Sequence, residues 1–414
     1  MKRQHIIVVI MIVLLLTSVC MAEKPQVKLG IDVLEENGFD ILKGKRVGLI
    51  TNPTGVSQDL RSTVDILFET PEVNLVALFG PEHGVRGNFG AGGIVADDVD
   101  PITGVTAYSL YGKRNRPSPK SLENVDVLVF DIQDIGCRSY TYISTMGRCM
   151  EAAAENDVEF VVLDRPNPLT GNIVEGSTVR DGFYSGVSAY KIPYVHGLTI
   201  GELAQVYNEE NLLRDEDKCN LTVVPMKGWK RKMAFEDTGL YWVPSSPHIP
   251  EGNTPPYYVS TGVIGEFYQL NIGVGYTLPF KCYAAEWIDA QELANAMNAL
   301  KLEGVVFRPI AYTPYYGADE GKEVKGVQIH ITDFRKVELM YLQFRFLEVH
   351  YKLYPEHDLF EMSKNRWRMF DIVCGTDEIR TEFMKNHKFE DIKPIFERDV
   401  EEFREMSKKY YLYK

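Results

Sequence analysis

The sequence predicts an α/β fold, a Rossmann-like parallel sheet domain followed by a smaller C-terminal α+β domain. Three observations carry this. Apolar runs at 46–53, 75–79, 125–131 and 158–163 alternate with stretches of helical periodicity, the spacing of βαβ units with right-handed crossovers. The runs are nearly unbroken in their apolar character, as in strands buried on both faces. From about residue 279 the pattern changes to a helix (290–300), strands (305–310 and 326–332) and a helix (337–353).

Residues 28–41 read as an opening helix, and 57–68 and 140–156 as crossover helices. Thr199-Ile-Gly-Glu202 and Asp289-Ala-Gln-Glu292 are capping boxes that open two later helices, which gives Glu202 a structural task. Residues 242–250 hold three prolines and are expected to form an ordered loop carrying His248. Segments 262–266 and 271–277 read as a second glycine-rich region, and 389–409 as one charged amphipathic helix. The expected organisation is a leader at 1–22, a Rossmann-like domain at 23–280 and a smaller domain at 281–414.

At 414 residues the chain exceeds one ordinary domain. Hydrophobic residues make up 45% and charged residues 25%, the balance of a globular protein. The net charge of −13 argues against nucleic acid and anionic membrane surfaces as partners. Lys2 and Arg3, an apolar stretch at 6–16 and a small-residue cut before Glu23 form a secretory signal pattern, so export, most simply to a periplasm, is expected. Anchoring through Cys20 is the weaker alternative, because Thr17-Ser-Val19 is a poor lipobox. The other five cysteines show no paired spacing and read as single buried thiols.

In a parallel sheet, ligands sit beyond the carboxyl ends of the strands. Here those ends are polar: Asn52, then Glu82-His83, then Asp131, Gln133, Asp134 and Arg138, then Asp164, Arg165 and Asn167. Glu82 is the first candidate for general acid or base. A carboxyl fixed by Gly and Pro beside an apolar strand can be desolvated, which raises its pKa toward working pH. The alternative is a loop carboxylate paired with Arg86. Asp131 and Asp134 divide between reactant and internal hydrogen-bond partner. Arg138 suits a bidentate clamp on a substrate carboxylate, or neutralisation of either acid. Asp164 with Arg165 suggests a strand-end ion pair. Asn167, between two prolines, is a polar handle for sugar hydroxyls or a turn residue. His196 and His248 lie in Gly/Pro loops as candidate functional histidines, and His330 alternates on a strand as a structural one. The acids and histidines also suit a metal, although no local ligand pair is present. There is neither a G-x-G-x-x-G nor a Walker A motif, so no nucleotide cofactor is expected.

Five segments, in order, resemble the exo-β-N-acetylmuramidase family: Gly80-Pro-Glu-His-Gly84, Asp131-Ile-Gln-Asp-Ile-Gly-x-Arg-x-Tyr-Thr-Tyr142, Leu163-Asp-Arg-Pro-Asn-Pro168, His196-Gly-Leu-Thr-Ile-Gly-Glu-Leu-Ala204 and Gly326-Val-Gln-Ile-His-Ile-Thr-Asp333. The likeness runs from about residue 28 to the terminal Tyr-Leu-Tyr. It implies release of N-acetylmuramic acid from non-reducing ends of peptidoglycan fragments, without a cofactor, at a site closed by the smaller domain. By motif it implies Glu82 as acid/base with His83 beside it, and a pocket lined by Asp131, Gln133, Arg138, Asp164 and His196. Asp134, Tyr142 and Asn167 lie within those motifs, Asn52 joins them as the polar end of the first strand, and Glu266 is the acid left in a second segment. Arg138 is then a natural partner for the lactyl carboxylate of muramic acid, an inference from charge alone. The chain departs from many members at Ser246-Pro-His248 and across 265–277, which bears on substrate range. Two further readings stand beside this one: a metal-dependent hydrolase built on the same residues, and a sugar-binding protein without activity.

Overall fold

The computed structural model describes residues 27–87, 97–112, 114–214 and 218–414. The leader and Cys20 lie outside them, as does part of the glycine-rich stretch at 84–104.

The larger unit carries, in order, α1 (Gly30–Glu36), β1 (Arg46–Thr51), α2 (Thr63–Glu69), β2 (Asn74–Gly80), β3 (Asp98–Val99), β4 (Thr106–Ser109), α3 (Pro119–Leu122), β5 (Val127–Asp131), α4 (Tyr142–Glu155), β6 (Glu159–Leu163), α5 (Ile200–Glu209) and β7 (Leu221–Val224). The strands form one sheet in the order β3-β4-β2-β1-β5-β6-β7, parallel throughout except for the short β3 against β4. Its six parallel strands follow the doubly wound order, which reverses between β1 and β5.

Alternation along the strands explains the layers. Ile50, Phe79, Leu128, Phe130 and Phe160 face α4 and α5, whereas Val47, Leu49, Leu78, Val129 and Val161 face α1 and α2. Each such burial removes a large apolar side chain from water, worth roughly 1.5–3 kcal/mol. The strands expected from sequence are present. β3, β4 and β7 were not expected: at two to four residues, with mostly exposed or half-exposed positions, they carry too little pattern. α2 starts at Thr63, later than its periodicity suggests, because a bridge between Val56 and Ser62 and the left-handed Leu60 (φ 63°) hold the chain before it.

The C-terminal part comprises α6 (Thr254–Gly265), β8 (Cys282–Ala285), α7 (Ala290–Ala299), β9 (Val305–Tyr312), β10 (Val324–Ile331), α8 (Leu339–Leu353), α9 (Leu359–Met362), α10 (Trp367–Cys374), α11 (Glu378–Asn386), α12 (Phe389–Glu397) and α13 (Val400–Ser407). Its sheet, β8-β10-β9, is antiparallel. The expected glycine-rich loop at 262–266 is instead the end of α6, whose Pro255 and Pro256 occupy the first turn, where no N–H partner is lost. Buried Gln343 of α8 accepts the N–H groups of Val263 and Ile264 and donates to Val259 O, fastening α6 to α8. The expected terminal helix is two, α12 and α13, breaking at Arg398-Asp399. Glu175 of the larger unit accepts the N–H groups of Leu339 and Met340 at 3.2 and 2.8 Å, capping α8 from across the junction.

No helix among the described residues is long and apolar enough to cross a membrane. The five cysteines there are free and buried.

Candidate active site

β2 ends at Gly80 and the chain turns at once. Gly84 N–H donates to Pro81 O at 2.9 Å, which puts Glu82 and His83 at the two central positions of a tight turn. His83 has φ 76°, a left-handed conformation that a side chain disfavours. Such strain persists where surrounding structure holds it, and it marks candidate functional positions. Gly80 is needed for the turn to fold back: a Cβ there would stand 2.8 Å from Val85 N.

The turn forms one wall of a cavity of about 220 Å³. Ser139, Tyr140, Thr141 and Tyr142 at the start of α4 form a second wall, the loop 246–249 a third, and Tyr258 with Phe280 a fourth. Glu82 is the one carboxylate among the described lining residues. Tyr111 hydrogen-bonds to it, and the Tyr111 phenol is pushed up by burial and by the Glu82 charge and hydrogen bond. Burial first, then the neighbouring Tyr140, raises the Tyr142 phenol, with Asn52 and Glu82 close by.

Two phenols position the third wall. Tyr140 donates to Ser245 Oγ at 2.8 Å and Tyr142 to Ser245 O at 2.7 Å. Trp242 Nε1 closes the loop on Ile249 O at 3.0 Å. His248 is thereby presented at the cavity, with its imidazole pushed down by burial and then by His83. Tyr140 and Tyr111 were not among the expected site residues, whereas His248, a candidate from its loop, is one of those the cavity brings together. The proline-rich loop was the signal for His248, but nothing local announced that it would meet β2.

The structure separates the expected residues into two groups. Tyr142 lines the cavity with Glu82 and His83. Asn52 stands behind it: its Oδ1 accepts from Thr54 N and Oγ1, while Nδ2, beside the Tyr142 phenol, lacks a partner of normal hydrogen-bond geometry among the described residues. His196 and Asp134 are buried together, with Nε2 3.9 Å from Oδ2. Leu198 N–H donates to His196 Nδ1, which assigns the ring proton to Nε2, the nitrogen facing Asp134. Gln133 donates to Asp134 O and Pro166 O and braces the same corner.

The others are structural. Arg138 is 1% exposed and donates to Ser177 O, Ile192 O and Val373 O, so it clamps backbone instead of a substrate carboxylate. Asp131 pairs with Arg165 at 2.5 Å and accepts from Thr63. Arg165 therefore does not pair with Asp164, which accepts from Tyr413, Thr199 and Gly201 and is raised to about 7 by burial. Asn167 fixes a turn through Leu198 O and Leu169 N–H. Glu266 is ion-paired to Arg366 at 2.6 Å, away from the cavity lining. Arg86 bonds Asp100 and Asp65, so it is not the partner of Glu82. Among the described residues no group of three or more His, Cys, Asp or Glu is placed to hold a metal.

Residues 47–253 match the model of exo-β-N-acetylmuramidase NamZ, N-terminal, and residues 256–413 that of its C-terminal part. The chain belongs to the exo-β-N-acetylmuramidase family. It is 45% identical over 392 residues to the peptidoglycan β-N-acetylmuramidase NamZ of Bacillus subtilis (strain 168), covering 95% of this chain and 92% of that protein. Two crystal structures of DUF1343 family proteins from Bacteroides fragilis share the fold. One is 53% identical with a TM-score of 0.90, the other 31% identical with a TM-score of 0.72; each match covers 94% of this chain and 99% of the other. In this chain the Gly80–Gly84 turn brings a carboxylate to the cavity.

Proposed function

We propose that the protein is an exo-acting glycoside hydrolase that releases N-acetylmuramic acid from the non-reducing ends of peptidoglycan fragments, with Glu82 as general acid/base. The observation that carries the assignment to Glu82 is its place in the wall of a cavity that Tyr140, Tyr142, Tyr258 and Phe280 help to line, at the end of β2, in a chain of this family. A proton donor at the glycosidic oxygen is what departure of a sugar alkoxide requires. Glu82 meets that need, its carboxyl held by the turn and by Tyr111. His83 lines the same wall and orients substrate or its neighbour. Asn52 supports the wall from behind through the Tyr142 phenol, while Gln133, Asp134 and His196 lie outside the cavity lining.

Export is part of the proposal, on the signal pattern at 1–22; N-terminal sequencing of the mature protein tests it. The activity is tested by incubating muropeptide glycans that carry muramic acid, or N-acetylglucosamine, at the non-reducing end. Free N-acetylmuramic acid is expected from the first set only, with the rate unchanged by chelator. Release from chain interiors would contradict the exo assignment. A chelator-sensitive rate would favour a metal-dependent hydrolase, and binding without release a sugar-binding protein.

A further inference from the structure

The cavity opens onto an aromatic surface. His248, in its wall, has Nε2 2.9 Å from the Tyr316 hydroxyl, and the two rings stack at 6.0 Å and 18°. Tyr316 and its neighbour Tyr315 sit on the loop between β9 and β10, 45% and 55% exposed. Exposed aromatic surface beside a polar cavity marks a ligand groove more often than chance scatter does.

The loop is held in place. Tyr315 N–H donates to Gly275 O at 2.9 Å, Asn271 Nδ2 to Ala318 O at 3.1 Å, and Gly321 N–H to Pro314 O at 2.9 Å. Gly275, at φ +89°, lets the Tyr316 carbonyl approach to 2.1 Å from where a Cβ would stand. Tyr276 stacks on Tyr312 at 4.6 Å and reaches Tyr315 at 5.7 Å. The two exposed rings are therefore preset, and little ordering is left for a ligand to impose.

We propose that Tyr315 and Tyr316, with His248, form the platform for the leaving-group sugar, the N-acetylhexosamine on the reducing side of the cleaved bond. The inference rests on the function proposed above. Glu82 lies in the cavity wall and His248 is shared between cavity and platform, so the sugar beyond the cleaved bond reaches the exposed rings at the cavity mouth. The C–H bonds on one face of a pyranose are electropositive and match the negative face of a tyrosine ring, while its hydroxyls and acetamide find the phenol oxygens.

The test compares two substrates in the full-length chain. One is the β-linked disaccharide of N-acetylmuramic acid and N-acetylglucosamine; the other is the β-fluoride of N-acetylmuramic acid, whose leaving group occupies no sugar site. The double variant Tyr315→Ala/Tyr316→Ala is expected to lose about tenfold in kcat/KM on the disaccharide and to match wild type on the fluoride. Tyr316→Phe, which keeps the ring, is expected to retain most of the disaccharide rate. Equal losses on both substrates, or none on the disaccharide, would overturn the platform while leaving the function intact. A wild-type protein that cleaves neither substrate would overturn both.

Discussion

Glu82 and His83 occupy a turn whose geometry favours glycine at the second position, and the imidazole is kept there despite φ 76°. If that strain serves the site, His83→Gly lowers activity and leaves the melting temperature unchanged or higher, because glycine adopts the conformation freely. A drop in melting temperature of more than a degree or so would argue that the imidazole is chiefly a packing group. Arg138 makes the opposite case. Its guanidinium serves three backbone carbonyls, so Arg138→Ala is expected to cost about 3 kcal/mol in stability, seen in denaturant unfolding. Any protein that remains folded should bind substrate with an unchanged KM; a raised KM without destabilisation would restore the clamp. Residue type and strand-end position singled out Glu82, and the fold places it in the cavity wall. They misled at Arg138, Asp164 and Asn167, because burial and partners come from segments as distant as Val373 and Tyr413. An arginine near acids looks the same in sequence whether it meets a ligand or a carbonyl.

Elements were legible where their pattern was long. The central strands and α4, α5 and α8 stand where periodicity put them, and the Thr199 capping box is present in both directions. At Asp289 only half the box forms: its carboxylate accepts Glu292 N–H. α6 was hidden because prolines and glycines speak for a loop until the first-turn position of the prolines is known. The junction between α8 and the larger unit rests on Glu175, which is half-buried and raised to about 7, desolvation outweighing its two backbone donors. Its ordinary value is 4.5. The folded state therefore holds this proton over a range where the unfolded chain has lost it, and the group's contribution to stability falls as pH rises from about 4.5 to about 7. Glu175→Gln, which cannot ionise, should gain stability relative to wild type across that window in melting experiments. Parallel curves for the two proteins would show that Glu175 is ionised in the fold.

At the scale of the whole molecule, the chain ends fasten the sheet. Tyr411 lies under the Arg231 guanidinium at 3.4 Å, Leu412 N–H donates to Glu202, and Tyr413 reaches Asp164 at the end of β6. Arg231 in turn pairs with Glu202 at 2.7 Å. Removing residues 411–414 would leave Asp164 and Glu202 without these donors, and we expect a loss of several kcal/mol in denaturant unfolding. A truncated chain as stable as the full one would contradict that. The doubly wound order, by contrast, aims β2 and β5 at one rim, and the C-terminal part supplies Tyr258 and Phe280 to the far wall. The rim was foreseeable from alternating strands and helices. The far wall was not, since it depends on how two units pack. The central claim is that one carboxylate at this rim moves the proton. The direct measurement is kcat/KM of wild type and Glu82→Gln on a chromogenic N-acetylmuramic acid β-glycoside, with melting curves for both. A fall of about 10²-fold or more at an unchanged melting temperature is expected; a folded Glu82→Gln protein with the wild-type rate would contradict the assignment.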